Sequence, residues 1–141
     1  YGQPYKRGRD IFGGLEAYGE VWRTGANEAT ELTTTRDILF AGNPLEAGTY
    51  ALFTIPGKDQ WTIILNSQLG QWGAFEYDSS YDVLRVDVDR VKKKEITEAF
   101  TIEFEEVQND STSITMEWDS TQVKIPIEFM TQEDRSENIS N

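Results

Sequence analysis

Three stretches decide the fold class: Phe100-Thr101-Ile102-Glu103-Phe104, Ile114-Thr115-Met116-Glu117-Trp118-Asp119 and Val123-Lys124-Ile125-Pro126-Ile127-Glu128-Phe129. In each, apolar and polar residues alternate with period two, which turns one face of an extended strand to a core and the other to water. The predicted core faces are Phe100, Ile102 and Phe104; Ile114, Met116 and Trp118; and Val123, Ile125, Ile127 and Phe129. Asn109-Asp110 and Asp119-Ser120 read as the turns between these strands. Pro126 has no N–H for a ladder, so Val123–Phe129 is expected at a sheet edge, or Pro126 at a bulge or a non-bonding position. An exposed edge can recruit a second chain, which leaves a dimer open.

Working outward, Leu84, Val86 and Val88 continue the alternation, with Arg85, Asp87 and Asp89 facing out. Lys92-Lys93-Lys94 reads as a solvated turn between strands. Two denser strands, Thr49–Ile55 and Trp61–Asn66, are joined by the turn sequence Pro56-Gly57-Lys58-Asp59. Thr30–Thr35 and Ile38–Phe40 precede them, and Gly42-Asn43-Pro44 breaks the run. Only Asp10–Glu20 has helical character, which Gly13-Gly14 limits to a short turn. Many short strands with regular turns predict an all-β fold, an antiparallel β-sandwich of two sheets with at most short helical turns. A closed barrel is the alternative. Residues 1–129 form the expected single domain, and residues 130–141 a polar, flexible C-terminal tail.

Composition excludes whole classes of chemistry. The 141 residues are 38% apolar, enough for the core of one domain. Lys and Arg number 13 against 25 Asp and Glu, a net charge of −12. Such a chain repels nucleic-acid phosphates and anionic lipid surfaces. It contains no Cys and no His. The Ser-His-Asp triad, the Cys-His nucleophile, the common zinc sites and disulfides are therefore all unavailable. No apolar run reaches the roughly 18 residues of a membrane-spanning helix, so no membrane insertion of this chain is expected. Opening at Tyr1, the sequence reads as a piece of a longer polypeptide.

Taken together, Tyr1-Gly2-Gln3-Pro4, Lys6-Arg7-Gly8-Arg9, Ile11-Phe12-Gly13-Gly14-Leu15 and Tyr18-Gly19 form a recognisable series. So do Val21-Trp22-Arg23-Thr24-Gly25-Ala26-Asn27-Glu28-Ala29-Thr30, Ala47-Gly48-Thr49-Tyr50 and Leu52-Phe53-Thr54-Ile55-Pro56-Gly57. Trp61-Thr62, Gly70-Gln71-Trp72-Gly73, Phe100–Phe104, Glu117-Trp118 and Val123–Ile127 complete it. In this order they resemble the domain-of-unknown-function 2911 family, found mainly in Bacteroidetes. The resemblance implies no established activity. It implies an exported protein, periplasmic or secreted, whose longer relatives carry a leader and a further β segment before the Tyr-Gly-x-Pro start.

Two segments have compositions that packing does not explain. Trp22–Thr30 gathers Trp22, Arg23, Asn27 and Glu28 around Gly25, and Arg9 beside Gly8 can join them. An Arg fork and an indole can hold a polar ligand. Equally, Arg23 and Glu28 can pair while Asn27 bonds loop backbone. Trp72, in Gly70-Gln71-Trp72-Gly73, is a stacking platform for a sugar or aromatic ring, or a lid over the end of the sandwich. The ligand-binding hypothesis joins Arg9, Trp22, Arg23, Asn27, Glu28 and Trp72 in one site. Trp61 and Trp118, on strands, read as core.

Carboxylate, Tyr, Lys and backbone chemistry remain, and the carboxylates allow a specific test. Glu117-Trp118-Asp119-Ser120-Thr121-Gln122 begins a glycosidase-like Glu-x-Asp-x-x-Glu pattern, but an amide at Gln122 cannot donate the proton a leaving group needs. Asp78, Asp82, Asp87 and Asp89 offer oxygens without a calcium-loop sequence. No catalytic residue, metal or cofactor is assigned. The favoured expectation is non-catalytic binding of a small molecule, a glycan or a protein partner. A carboxylate-dependent hydrolase and a purely structural or oligomerisation domain are the alternatives.

Overall fold

The computed structural model describes residues 2–25, 30–70 and 77–130. Seven strands run β1 (Thr30–Thr34), β2 (Ile38–Phe40), β3 (Asn43–Leu45), β4 (Gly48–Ile55), β5 (Gln60–Asn66), β6 (Asp82–Phe104) and β7 (Ser111–Phe129). They hydrogen-bond in the order β1-β4-β5-β6-β7-β2-β3, every described pair antiparallel. The all-β expectation stands, and among the described residues the only helical piece is a 3-10 turn at Ser79–Tyr81. Where two separate sheets were expected, the ladder is one open sheet. Its continuity comes from the length of β6, whose Asp82–Asp89 half pairs with β5 and whose Arg90–Phe104 half pairs with β7.

One core cluster draws on both arms of this sheet. Trp61, Ile63, Leu65 and Val88 meet Phe100, Met116, Trp118, Val123 and Ile125 in it. β4 and β5 lack alternation because both of their faces are covered. Ala51, Phe53 and Ile64 form a second cluster behind the sheet, against Val21, Ile55 and Tyr77. Tyr77 is tied there by its hydroxyl, which donates to Asp82 at 2.6 Å and accepts from Arg85 at 2.7 Å.

Asn109-Asp110 is the two-residue turn its sequence predicts, with φ of 50° and 64° and Gln108 and Ser111 bonding each other across it. Asp119-Ser120 is not a turn. β7 runs straight through it, and Asp119 takes φ 55°. The buried positions switch there from Ile114, Met116 and Trp118 to Thr121, Val123, Ile125 and Ile127. That change of parity is what one extra residue does to a strand of period two. Lys92-Lys93-Lys94 likewise lies inside β6 rather than between strands. Between the pairs Lys92↔Thr121 and Thr101↔Glu117, β6 advances nine residues while β7 advances four. The surplus leaves Ile96 exposed, while Lys93 reaches back to Glu117 at 2.9 Å.

Pro126 falls between two ladders. The β6–β7 register ends at Arg90↔Val123 and the β2–β7 register starts at Phe40↔Ile127. The Pro126 carbonyl accepts from Ala41 N–H at 2.8 Å, and the absent N–H is asked for nothing. Residues 2–25 form a strap between the arms. Pro4 and Lys6 exchange backbone bonds with β6 at Phe100 and Glu98, and Trp22 exchanges both of its bonds with Thr54 on β4.

Candidate functional site

The strap carries three of the sequence-predicted site residues. Trp22 is 5% exposed, and its ring lies in a cluster of Phe12, Trp61, Phe100 and Trp118, stacked on Trp118 at 5.8 Å. Its indole faces core rather than solvent. Arg9 is exposed and turns onto its own loop, its guanidinium donating to the carbonyls of Lys6, at 3.0 Å, and Tyr5. Arg23 is half-buried and donates to the Gly25 carbonyl at 3.4 Å. Asn27, Glu28 and Trp72 lie outside the described residues.

Glu16 is the partner that sequence reasoning missed. A tight turn holds it, with Glu16 N–H bonded to Ile11 and its carbonyl accepting from Gly13, both at 2.8 Å. Burial pushes its carboxyl from 4.5 up to about 7, against the opposing pull of Arg23 and then Arg9. The desolvation cost wins. Leu15-Glu16-Ala17 lies in Asp10–Glu20, read only as a short helical turn, and nothing in that reading paired Glu16 with Arg23.

A second feature is a groove on the β1 side of the core. About 290 Å³ in volume, it runs between Leu32, Ile38, Phe104, Val107, Ile114 and Phe129. Leu32, Phe104 and Ile114 also line a smaller opening of about 140 Å³ next to it, reached by Thr30, Glu31 and Leu52. Phe104 is 63% exposed and Val107 56%, although Phe104 stands on the predicted core face of its strand. Arg36 caps one wall, its guanidinium 4.7 Å from the Phe129 ring centroid. The groove is an apolar trough with a hydroxyl row, Thr33, Thr34, Thr35 and Thr112, on its lining. Its one charged lining residue is Glu105.

The family model described as Protein of unknown function (DUF2911) matches residues 1–127. The chain belongs to the DUF2911 family. No curated protein and no solved structure matches it.

In this DUF2911 chain the Trp22-Arg23-Thr24-Gly25 run has a structural explanation. The buried Thr24 hydroxyl donates to the Trp22 carbonyl, and the Thr30 hydroxyl donates to the Thr24 carbonyl at 2.6 Å. Gly25 has φ 151°, and a Cβ there would stand 2.8 Å from the Gly2 carbonyl oxygen. These residues anchor the strap and lead the chain into β1. The carboxylates are similarly engaged. Glu117 takes bonds from Lys93 and from the Gln122 amide, and Lys93 holds it below the usual carboxylate range. Asp82 accepts from Tyr77, Arg85 and Asn66, Asp87 from Thr62, Asp89 from Gln60, and Asp78 from Ser80. Among the described residues no three carboxylates gather in a way that could hold a metal, and no helix is long and apolar enough to cross a membrane.

Proposed function

We propose that this DUF2911 domain is a non-catalytic binding module whose ligand lays an apolar body in the groove between β1 and the β6–β7 tip. The single observation carrying this is the groove itself, with Phe104 63% exposed at its mouth. Its volume is near the lower end of the ~300–1,000 Å³ of small-ligand sites. A strand residue on the core face of an alternating pattern is ordinarily covered. In the same reading the two arms of the sheet act as the layers of a β-sandwich open along β1, since one core cluster fills the space between them. A periplasmic or secreted location, implied by the family resemblance, completes the proposal.

The test uses Nile red, a neutral apolar dye that brightens when it leaves water. The wild-type chain should enhance its fluorescence saturably. Phe104→Ser should remove most of that enhancement while leaving the midpoint of urea unfolding nearly unchanged, because the ring is largely in solvent. Undiminished enhancement in the variant, or none in the wild type, overturns the assignment.

A further inference from the structure

The groove has a strand edge along it. Among the described residues β1 pairs with β4 alone, so it ends the sheet, while Thr30–Thr35 line the two openings. Sheets usually blunt such edges with Pro, Lys, a bulge or extreme shortness. The opposite edge does so: β3 is three residues long and contains Pro44. β1, Thr30-Glu31-Leu32-Thr33-Thr34, has no Pro, no Lys and no bulge, and its one charge is Glu31. Its register with β4 runs without a slip over all five residues. Leu32 turns toward the groove, and the exposed Glu31 and Thr33 flank it.

Charge narrows the occupant. Exposed Glu105 lines the far rim, Glu106 lines the depression next to it, and Glu31 stands on the near rim, its carboxylate accepting from Gly70 N–H at 3.3 Å. The cations nearby are engaged, Lys124 with Glu105 at 3.0 Å and Arg36 over Phe129. The rim is therefore acidic in a chain whose net charge is −12. An anionic lipid or fatty acid would meet like charge here. So would a second copy of the chain, which brings the same glutamates and the same net charge to the contact.

Resting on the groove reading above, we propose that the natural occupant is an extended polypeptide segment that alternates apolar and basic residues. It adds as a strand to the outer edge of β1, placing its apolar side chains over Leu32 and Phe104 and its Lys or Arg side chains against Glu31 and Glu106. Backbone hydrogen bonds supply the pairing, and the alternate side chains supply the selectivity.

The experiment titrates the wild-type chain into fluorescein-labelled peptides and reads anisotropy. One peptide alternates Lys with Val and Ile. A second has the same sequence with alternate backbone nitrogens methylated, and a third replaces every Lys by Glu. The first should bind, weaken with added salt, and lose roughly tenfold or more in affinity when methylated or charge-reversed. Phe104→Ser should weaken it as well. If the methylated peptide binds as well as its parent, strand addition is refuted while the groove survives as an apolar site. If Nile red binds and no peptide does, the strand proposal fails alone, and if neither binds, both readings fail. Self-association that Leu32→Lys abolishes would assign the edge to a second copy and also overturn the proposal.

Discussion

Replacing Glu16 by Gln should stabilise the protein above neutral pH and leave it nearly unchanged in mild acid. A carboxyl that titrates near 4.5 in the unfolded chain and at about 7 in the fold takes up a proton on folding. Its favourable contribution is complete below pH 4.5 and is lost as pH rises through 7. The whole shift corresponds to about 3 kcal/mol, and the half-buried position of Glu16 reduces this to the order of 1–2 kcal/mol. Gln imitates the protonated acid and cannot ionise. The difference in unfolding free energy between variant and wild type should thus be close to zero at pH 4 and grow to about 1–2 kcal/mol in favour of Gln at pH 8. Urea unfolding across that range gives the value at each pH, and taking the difference cancels the many other carboxylates of the chain. A variant that is less stable than wild type above pH 7 would refute the argument. It would mean that attraction to Arg23 and Arg9 outweighs burial and that Glu16 is an ordinary ion-pair partner.

Two further outcomes follow from the core and the turns. Trp118 and Trp61 are both almost fully buried, but the Trp118 indole donates to the Glu98 carbonyl at 2.9 Å and the Trp61 indole N–H has no partner among the described residues. Both Phe replacements leave a void, while only Trp118→Phe loses a hydrogen bond, the Glu98 carbonyl keeping the one it accepts from Lys6 N–H, so it should cost about 1 kcal/mol more than Trp61→Phe; equal losses in urea unfolding would contradict this. Asp110→Gly should raise stability by about 0.5 kcal/mol, because φ 64° costs a glycine nothing, and a drop in the thermal midpoint would show that the Asp side chain holds the turn.

How far the sequence was legible depends on what each residue answers to. Thr30–Thr34, Ile38–Phe40 and Gln60–Asn66 emerge within a residue of their predicted strands, since local composition and turn chemistry set them. Asp119-Ser120 misled because the pair that favours a turn also tolerates the positive φ of a bulge, here 55° at Asp119. The change from even to odd buried positions was visible in the sequence and is the more diagnostic signal. The long surplus in β6 was not legible, since it depends on register against β7 rather than on anything in Lys92-Lys93-Lys94. The buried position of Trp22 was not legible for a related reason. Its neighbours Phe12, Trp61, Phe100 and Trp118 come from four distant parts of the chain, and only the fold brings them together.

The most recognisable motif of the family and its best candidate site thus separate. Trp22, Thr24 and Gly25 are constrained by packing, by buried hydroxyl bonds and by a carbonyl too near for a side chain. They hold the strap across the arms. Phe104 obeys its own strand's alternation and still has no cover, which packing does not explain. An apolar residue left open at the correct parity of a strand costs solubility unless something fills the space. That opening lies along β1, where the proposed ligand would gain apolar contact with Leu32 and Phe104.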